Sequence, residues 1–199
     1  SEYENSTNWR EITTACKDNV ASKCFDEQNG LCIYCERQLE YPDWQKNSHC
    51  EHLVPRHTKS RVFDFSNIAL SCNGTPPVAS LELEAYDNKA NLSCGHSRDD
   101  KAWDSNLFLH PTDLGDLENY FDWDLPTAKI TTTGLNSDRA DHMILLLNLN
   151  NGYLRGARQK ARGAFRKIFD NPKYSDDTFI ALQDSQFAFS SFLKATFDV

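Results

Sequence analysis

The sequence has no apolar run of about 18 residues, the minimum for a membrane-spanning helix. Its first segment, SEYENSTNWR, is polar and acidic, without the basic start and apolar centre of a secretory leader. Neither a membrane span nor a signal peptide is therefore expected, and a cytoplasmic setting is. Positive charge is also short: 21 Lys and Arg stand against 29 Asp and Glu, a net charge of −8. That is the wrong sign for holding a polyanion by bulk electrostatics, so a nucleic-acid role would need a local basic patch, a metal or a partner. Internal repeats and low-complexity segments are absent too.

What is present is a chain of 199 residues with 39% hydrophobic and 25% charged residues, enough for one sizeable core with or without a small satellite. Its seven cysteines are an odd number and include a CxxC, which fits metal binding in a reducing compartment better than a disulfide framework. Three regions follow. Residues 1–30 hold a helix over about 8–29, with Trp9, Ile12, Cys16, Val20 and Cys24 at helical spacing and an Asn-Gly stop. Residues 31–105 are irregular and rich in Cys, His and Pro, with strand-like runs HCEHLV and NIALSC and an insertion over 73–93. Residues 106–199 are mostly helical, with three helical stretches from about Ser137 onward.

The pair Cys32 and Cys35 in CIYC supplies half of a tetrahedral thiolate site from one turn. A redox pair is the other reading of a CxxC, but the helix that follows a thioredoxin-type motif is missing, since ERQLEYPDW runs into a proline. The second half must come from Cys50, Cys72 or Cys94; Cys72 ends a strand-like run, and Cys94 precedes a glycine that frees the backbone to turn. Cys32, Cys35, Cys72 and Cys94 are the expected structural zinc ligands, the plain alternative being that Cys72 or Cys94 is merely buried.

The segment HCEHLVPRH, residues 49–57, crowds metal-binding and proton-moving groups around Pro55. It is not a helical zincin motif: Glu51 precedes His52, and Pro55 would break the helix. In a strand adjacent side chains face opposite ways, so Glu51 can hold a metal while His52 meets a water from another side. Asn67 follows in FDFSNIALSC, and His96 in SCGHSR.

CxxC, then Glu-His with Val-Pro-Arg, then Asn-Ile-x-x-x-Cys, then Cys-Gly-His resembles the zinc-stapled HNH endonuclease family. The resemblance implies an α+β fold: a ββα-metal nuclease core with a structural zinc, flanked by an N-terminal helix and a helical C-terminal region. It also implies His52 as general base, Glu51 and His96 as ligands of a catalytic Mg²⁺ or Mn²⁺, and Asn67 as the orienting asparagine. The order of IYCER, EHLVPR, LSCNG, CGHSRDDK, LFLHPTD and ADHMILLLNLNNGYLRGAR, over about residues 25–165, is similar to the PtuB nuclease subunits of Septu and related retron anti-phage systems. That resemblance implies a bacterial effector working with a PtuA-like ABC/SMC-type ATPase, and with retron msDNA and reverse transcriptase as further partners. Its substrate would be nucleic acid, DNA first and RNA or tRNA second. The long spacing between Cys72 and Cys94 departs from the common zinc knuckle, so the register of His96 rests on Cys94 alone.

The remaining candidates have two readings each. His49 could join the metal or be a satisfied loop histidine; Cys50 reads as a buried thiol. Arg56 could clamp a phosphate, with His57 beside it, or both could be solvated. His110 and His142 stand outside any constellation. The stretch GYLRGARQKARGAFRKIF carries Arg155, Arg158, Lys160, Arg162, Arg166 and Lys167 without an acid, a surface that would suit a phosphate backbone through Arg158 and Arg162, or a solvated face. Leu154, Ala157, Ala161, Phe165 and Ile168 mark its core side. Phe179, Leu182, Phe187, Phe189, Phe192, Leu193 and Phe197 make the last stretch the candidate for docking a partner. Against the nuclease stands a reading from another class, a non-catalytic zinc-stapled binding module.

Overall fold

The computed structural model describes residues 8–58, 61–74, 91–98, 103–112, 117–171, 180, 184 and 187–198. It is a mixed α+β structure with two small antiparallel hairpins. Helix α1 spans Thr14–Glu27, shorter than the spacing alone predicts. Thr13 is its cap: the side-chain oxygen accepts from the Cys16 amide at 3.3 Å, as N-cap threonines do. Trp9 and Ile12 precede the helix yet are buried, so their apolar character reports core contact rather than helical phase. Asn29 (φ 52°) and Gly30 (φ 70°) end it in the left-handed region.

Strands β1 (Ser48–His52) and β2 (Ile68–Cys72) pair antiparallel, Ser48 opposite Cys72 and His52 opposite Ile68. Every residue of β2 is buried. Helix α1 packs on this strand. At its end Gln28 acts as a short stand-in for a neighbouring strand: its side chain donates to the Leu70 carbonyl at 2.9 Å and accepts from the Leu70 amide at 2.7 Å. A buried strand edge thereby keeps its hydrogen bonds.

The chain leaves β2 at Gly74 and returns at Ser93, whose amide donates to the Gly74 carbonyl at 3.2 Å. Gly74 has φ +64°, and a Cβ there would lie 2.1 Å from the Ser93 carbonyl oxygen, so only glycine fits. Most of the insertion, residues 75–90, lies outside the described residues. The one-turn helix α2 (Cys94–Arg98) then packs against β2.

Beyond it, β3 (Phe121–Asp124) and β4 (Lys129–Thr132) form the second hairpin, followed by α3 (Ser137–Leu146), α4 (Gly152–Phe169) and α5 (Ser190–Phe197). The buried residues of α4 are Leu154, Arg158 and Phe165, whereas Ile168 is 41% exposed. The inner stripe therefore carries an arginine where the apolar pattern alone placed Ile168. The aromatic residues of the last segment are used inside the fold: Phe187 and Phe197 meet Phe165, with ring centroids 5.3 and 5.0 Å away, and Phe192 meets Trp123 at 5.2 Å. They do not form an outward face; Phe179 and Leu182 lie outside the described residues.

Candidate active site

The first cluster is sulfur. Cys32, Cys35, Cys72 and Cys94 are all buried, and their Sγ atoms lie within 4.8 Å of one another. Zinc–thiolate bonds of about 2.3 Å in a tetrahedron place sulfurs about 3.8 Å apart, and Cys35 Sγ and Cys72 Sγ are 3.7 Å apart. The Cys72 amide donates to Cys32 Sγ at 3.2 Å, which suits a thiolate acceptor. This set could hold a structural metal such as zinc. Cys94 reaches it from a left-handed conformation (φ 58°), its amide donating to the Leu147 carbonyl at 2.8 Å. The turn is therefore made by Cys94 itself and not by Gly95, as the sequence suggests.

Gly95 is needed for a different reason: a Cβ would lie 2.7 Å from both Glu51 Oε2 and His49 Nε2. Its amide donates to Ser71 Oγ at 3.1 Å, which pins α2 against the hairpin. The second cluster forms at this close approach. Glu51 is 9% exposed, with Oε1 accepting from the Tyr34 hydroxyl at 3.2 Å and lying 3.4 Å from Arg98 Nη2. Its Oε2 lies 3.3 Å from His49 Nε2. Burial pushes the Glu51 carboxyl up, but the His49 hydrogen bond and the Arg98 charge outweigh it and hold the group below its ordinary range. Burial likewise pushes His49 down, and Glu51 more than reverses it. The His96 ring stacks on His49, centroids 4.5 Å apart. Among the described residues, however, only the cysteines bring three or more ligand atoms mutually within 4.8 Å; His49, Glu51 and His96 form a looser, open group.

His52 points the other way from Glu51, as strand alternation requires. Its Nε2 lies 3.0 Å from the Val62 carbonyl oxygen. A carbonyl only accepts, so Nε2 carries the hydrogen and the lone pair is on Nδ1. Burial, helped by the Arg56 and Arg98 charges and opposed by the Val62 bond, lowers its pKa to about 4. The imidazole is neutral at pH 7. Trp9 sets its plane, ring centroids 4.7 Å apart at 84°.

Asn67 is wholly buried and does not face the cleft. Its Oδ1 accepts from the Val54 amide at 2.6 Å, and its Nδ2 donates to the Val54 and Arg61 carbonyls at 3.1 and 2.8 Å. It clasps the loop that carries Val62, and so acts on His52 at one remove. Arg56 and His57 are exposed and, with His49, Glu51, His52 and His96, line a cleft of about 760 Å³.

The two α4 arginines expected to meet a phosphate backbone, Arg158 and Arg162, lie elsewhere. The Arg158 guanidinium is 1% exposed and donates to the Ala128 carbonyl, and Arg162 Nη1 donates to the Leu125 carbonyl at 2.7 Å. Arg158 is thus not presented to an external phosphate backbone. The cations that α4 does expose are Lys160, Arg166 and Lys167. Cys50 is half-buried, and burial pushes its thiol up to about 12.

No family model matches the chain. Over 152 residues it is 25% identical to the protein named "Retron Vc95 putative HNH endonuclease" from Vibrio cholerae serotype O1 biovar El Tor, which covers 72% of this chain. The chain spans 63% of the length of that relative. No helix among the described residues is long and apolar enough to cross a membrane.

Sequence reasoning missed three contributors to this candidate site. Arg98, 4% exposed, donates to the His52 and Leu53 carbonyls at 2.6 and 2.7 Å while facing Glu51, so it fixes the end of β1. Tyr34 sits between the two cysteines of the CxxC turn, where only its contact with Glu51 reveals a role. His110 Nε2 lies 3.4 Å from Asn67 Oδ1 and 3.3 Å from Arg61 Nη1, bracing the clasped loop from LFLHPTD. The signal for Arg98 was its place one turn after Cys94; the other two had none.

Proposed function

We propose that this chain is a metal-dependent HNH endonuclease that hydrolyses phosphodiester bonds, with residues 31–105 as its ββα-metal core and a zinc ion on Cys32, Cys35, Cys72 and Cys94. One observation carries the reading: adjacent residues of β1 enter the same cleft by opposite routes. Glu51 does so as a carboxylate kept ionised by Arg98 and His49, and His52 as a neutral imidazole with its tautomer fixed. Adjacent acid and base with separate partners suit hydrolysis assisted by a cation.

In this reading Glu51 and His96 hold a Mg²⁺ or Mn²⁺ ion, with His49 close enough to Glu51 to join them; when bound, the ion supplies charge stabilisation at the phosphate and the leaving oxygen. His52 Nδ1 takes the proton from the attacking water. Val62 keeps that nitrogen free by occupying Nε2, and Asn67 keeps Val62 in place. Arg56, exposed at the rim, holds a phosphate oxygen of the substrate. The retron name of the relative favours a nucleic-acid substrate and a retron setting. A PtuA-like ATPase and retron components are proposed partners, and the exposed cations of α4 a surface for one of them or for the substrate.

The reading is tested by cleavage of plasmid DNA and of total tRNA, by the protein alone and with its ATPase, in Mg²⁺ or Mn²⁺. The Glu51→Gln variant is run beside it. Cleavage that requires the cation and is lost in Glu51→Gln is expected. Equal cleavage by Glu51→Gln, or none with any cation and the ATPase present, would overturn the reading.

A further inference from the structure

A second cavity, of about 660 Å³, shares no lining residue with the HNH-like cleft. Its walls come from the turn Ile33–Glu36, both strands of the second hairpin, α3, α4 and α5. Two groups of opposite charge line it, Arg158 buried and Glu36 half-buried. Arg158 is 1% exposed; Nη1 donates to the Ala128 carbonyl at 3.2 Å, the guanidinium lies 4.9 Å over the Trp123 ring, and Nε is buried with no acceptor. A guanidinium has five N–H donors, and among the described residues the buried Nε–H of Arg158 finds no acceptor. Glu36 accepts from the Ser191 amide and hydroxyl at 3.0 and 2.8 Å through a single oxygen, Oε2. The two groups feel each other's charge, yet no ion pair joins them. Leu109, Ile130 and Met143 give the wall an apolar part, and Asp122 and Lys194 also line the cavity, the Lys194 charge acting on Glu36 beside that of Arg158.

Opposite charges that line one cavity without pairing match a ligand that touches both. We propose that this cavity is a small-molecule site, separate from the cleft, for a ligand carrying an acidic group and an N–H donor on a flat or apolar body. The acid meets Arg158, the N–H donor meets the free Glu36 oxygen, and the body lies on the apolar wall. The volume falls within the range of small-ligand sites, about 300–1,000 Å³. Nucleoside monophosphates and apolar α-amino acids both carry this chemistry, and neither depends on the nuclease reading.

The test is calorimetric titration of the full, zinc-containing chain with each nucleoside monophosphate, with leucine and phenylalanine, and with inorganic phosphate alone. Ala195 is exposed and lines the cavity, so Ala195→Trp narrows it from the solvent side without disturbing the core. Saturable binding by a monophosphate or an amino acid, weakened at least about tenfold in Ala195→Trp and in Arg158→Gln, is expected. A monophosphate response identifies a nucleotide site, and an amino-acid response a zwitterion site. Should Arg158→Gln fail to fold, Ala195→Trp decides. Binding untouched by Ala195→Trp, phosphate alone binding as well as the larger ligands, or no binding at millimolar concentration would overturn the proposal.

Discussion

Replacing Asn67 by alanine removes a side chain that satisfies three backbone groups at once: the Val54 amide and the Val54 and Arg61 carbonyls. The site is fully buried, so water does not replace these bonds without opening the loop. An unsatisfied buried donor or acceptor costs about 1–3 kcal/mol each, and partial relaxation brings the expected loss to about 3–5 kcal/mol. For a chain of this size that is about 6–20 °C in Tm. Asn67→Asp keeps the shape but turns the two-donor amide into an acceptor facing two carbonyls, and should lose at least as much at pH 7. The assay is urea and thermal unfolding followed by circular dichroism, with zinc content matched. A loss below about 1 kcal/mol for Asn67→Ala would refute the clasp. So would a stable Asn67→Asp.

Further expectations follow from the same structure. Purified protein should contain one zinc per chain, and Cys72→Ser or Cys94→Ser should lose most of it together with cooperative unfolding; metal analysis showing folded, zinc-free protein would contradict the tetrathiolate site. Gly95→Ala should abolish or strongly reduce cleavage while lowering Tm only modestly, because its methyl group meets Glu51 and His49 at 2.7 Å; wild-type activity in this variant would contradict the close approach. His52 has a folded pKa of about 4 against an ordinary 6.5. Its contribution, about 3 kcal/mol, is therefore fully present above pH 6.5 and lost as pH falls towards 4. His52→Asn should flatten the stability profile across that window, and identical slopes would contradict the burial argument.

The four-cysteine cluster is legible because it depends on local rules. The CxxC spacing announces one half of it, and strand alternation separates Glu51 from His52. The register of His96 rests on Cys94 alone in the sequence because the insertion hides a simple closure: Gly74 and Ser93 are hydrogen-bonded, so the chain re-enters where it left. Arg158 could have been read more closely. It lies four residues after Leu154 and seven before Phe165, on the buried stripe itself, but a cation in a basic run invites an outward reading. Tyr34, His110 and Trp9 were not legible, since each acts through a contact made by tertiary folding. Helix α1 was drawn too long at its start because Trp9 and Ile12 are apolar for packing reasons, while Thr13 held the true boundary.

Single-turnover cleavage by wild type and His52→Ala tests the proposed role of His52 as the general base of a metal-dependent nuclease. Labelled DNA and RNA substrates, Mg²⁺ or Mn²⁺, the proposed ATPase partner and matched zinc content and Tm complete the assay. Cleavage reduced at least about a hundredfold in a variant that keeps its fold and zinc is the expected result. Cleavage within about twofold of wild type would contradict the assignment.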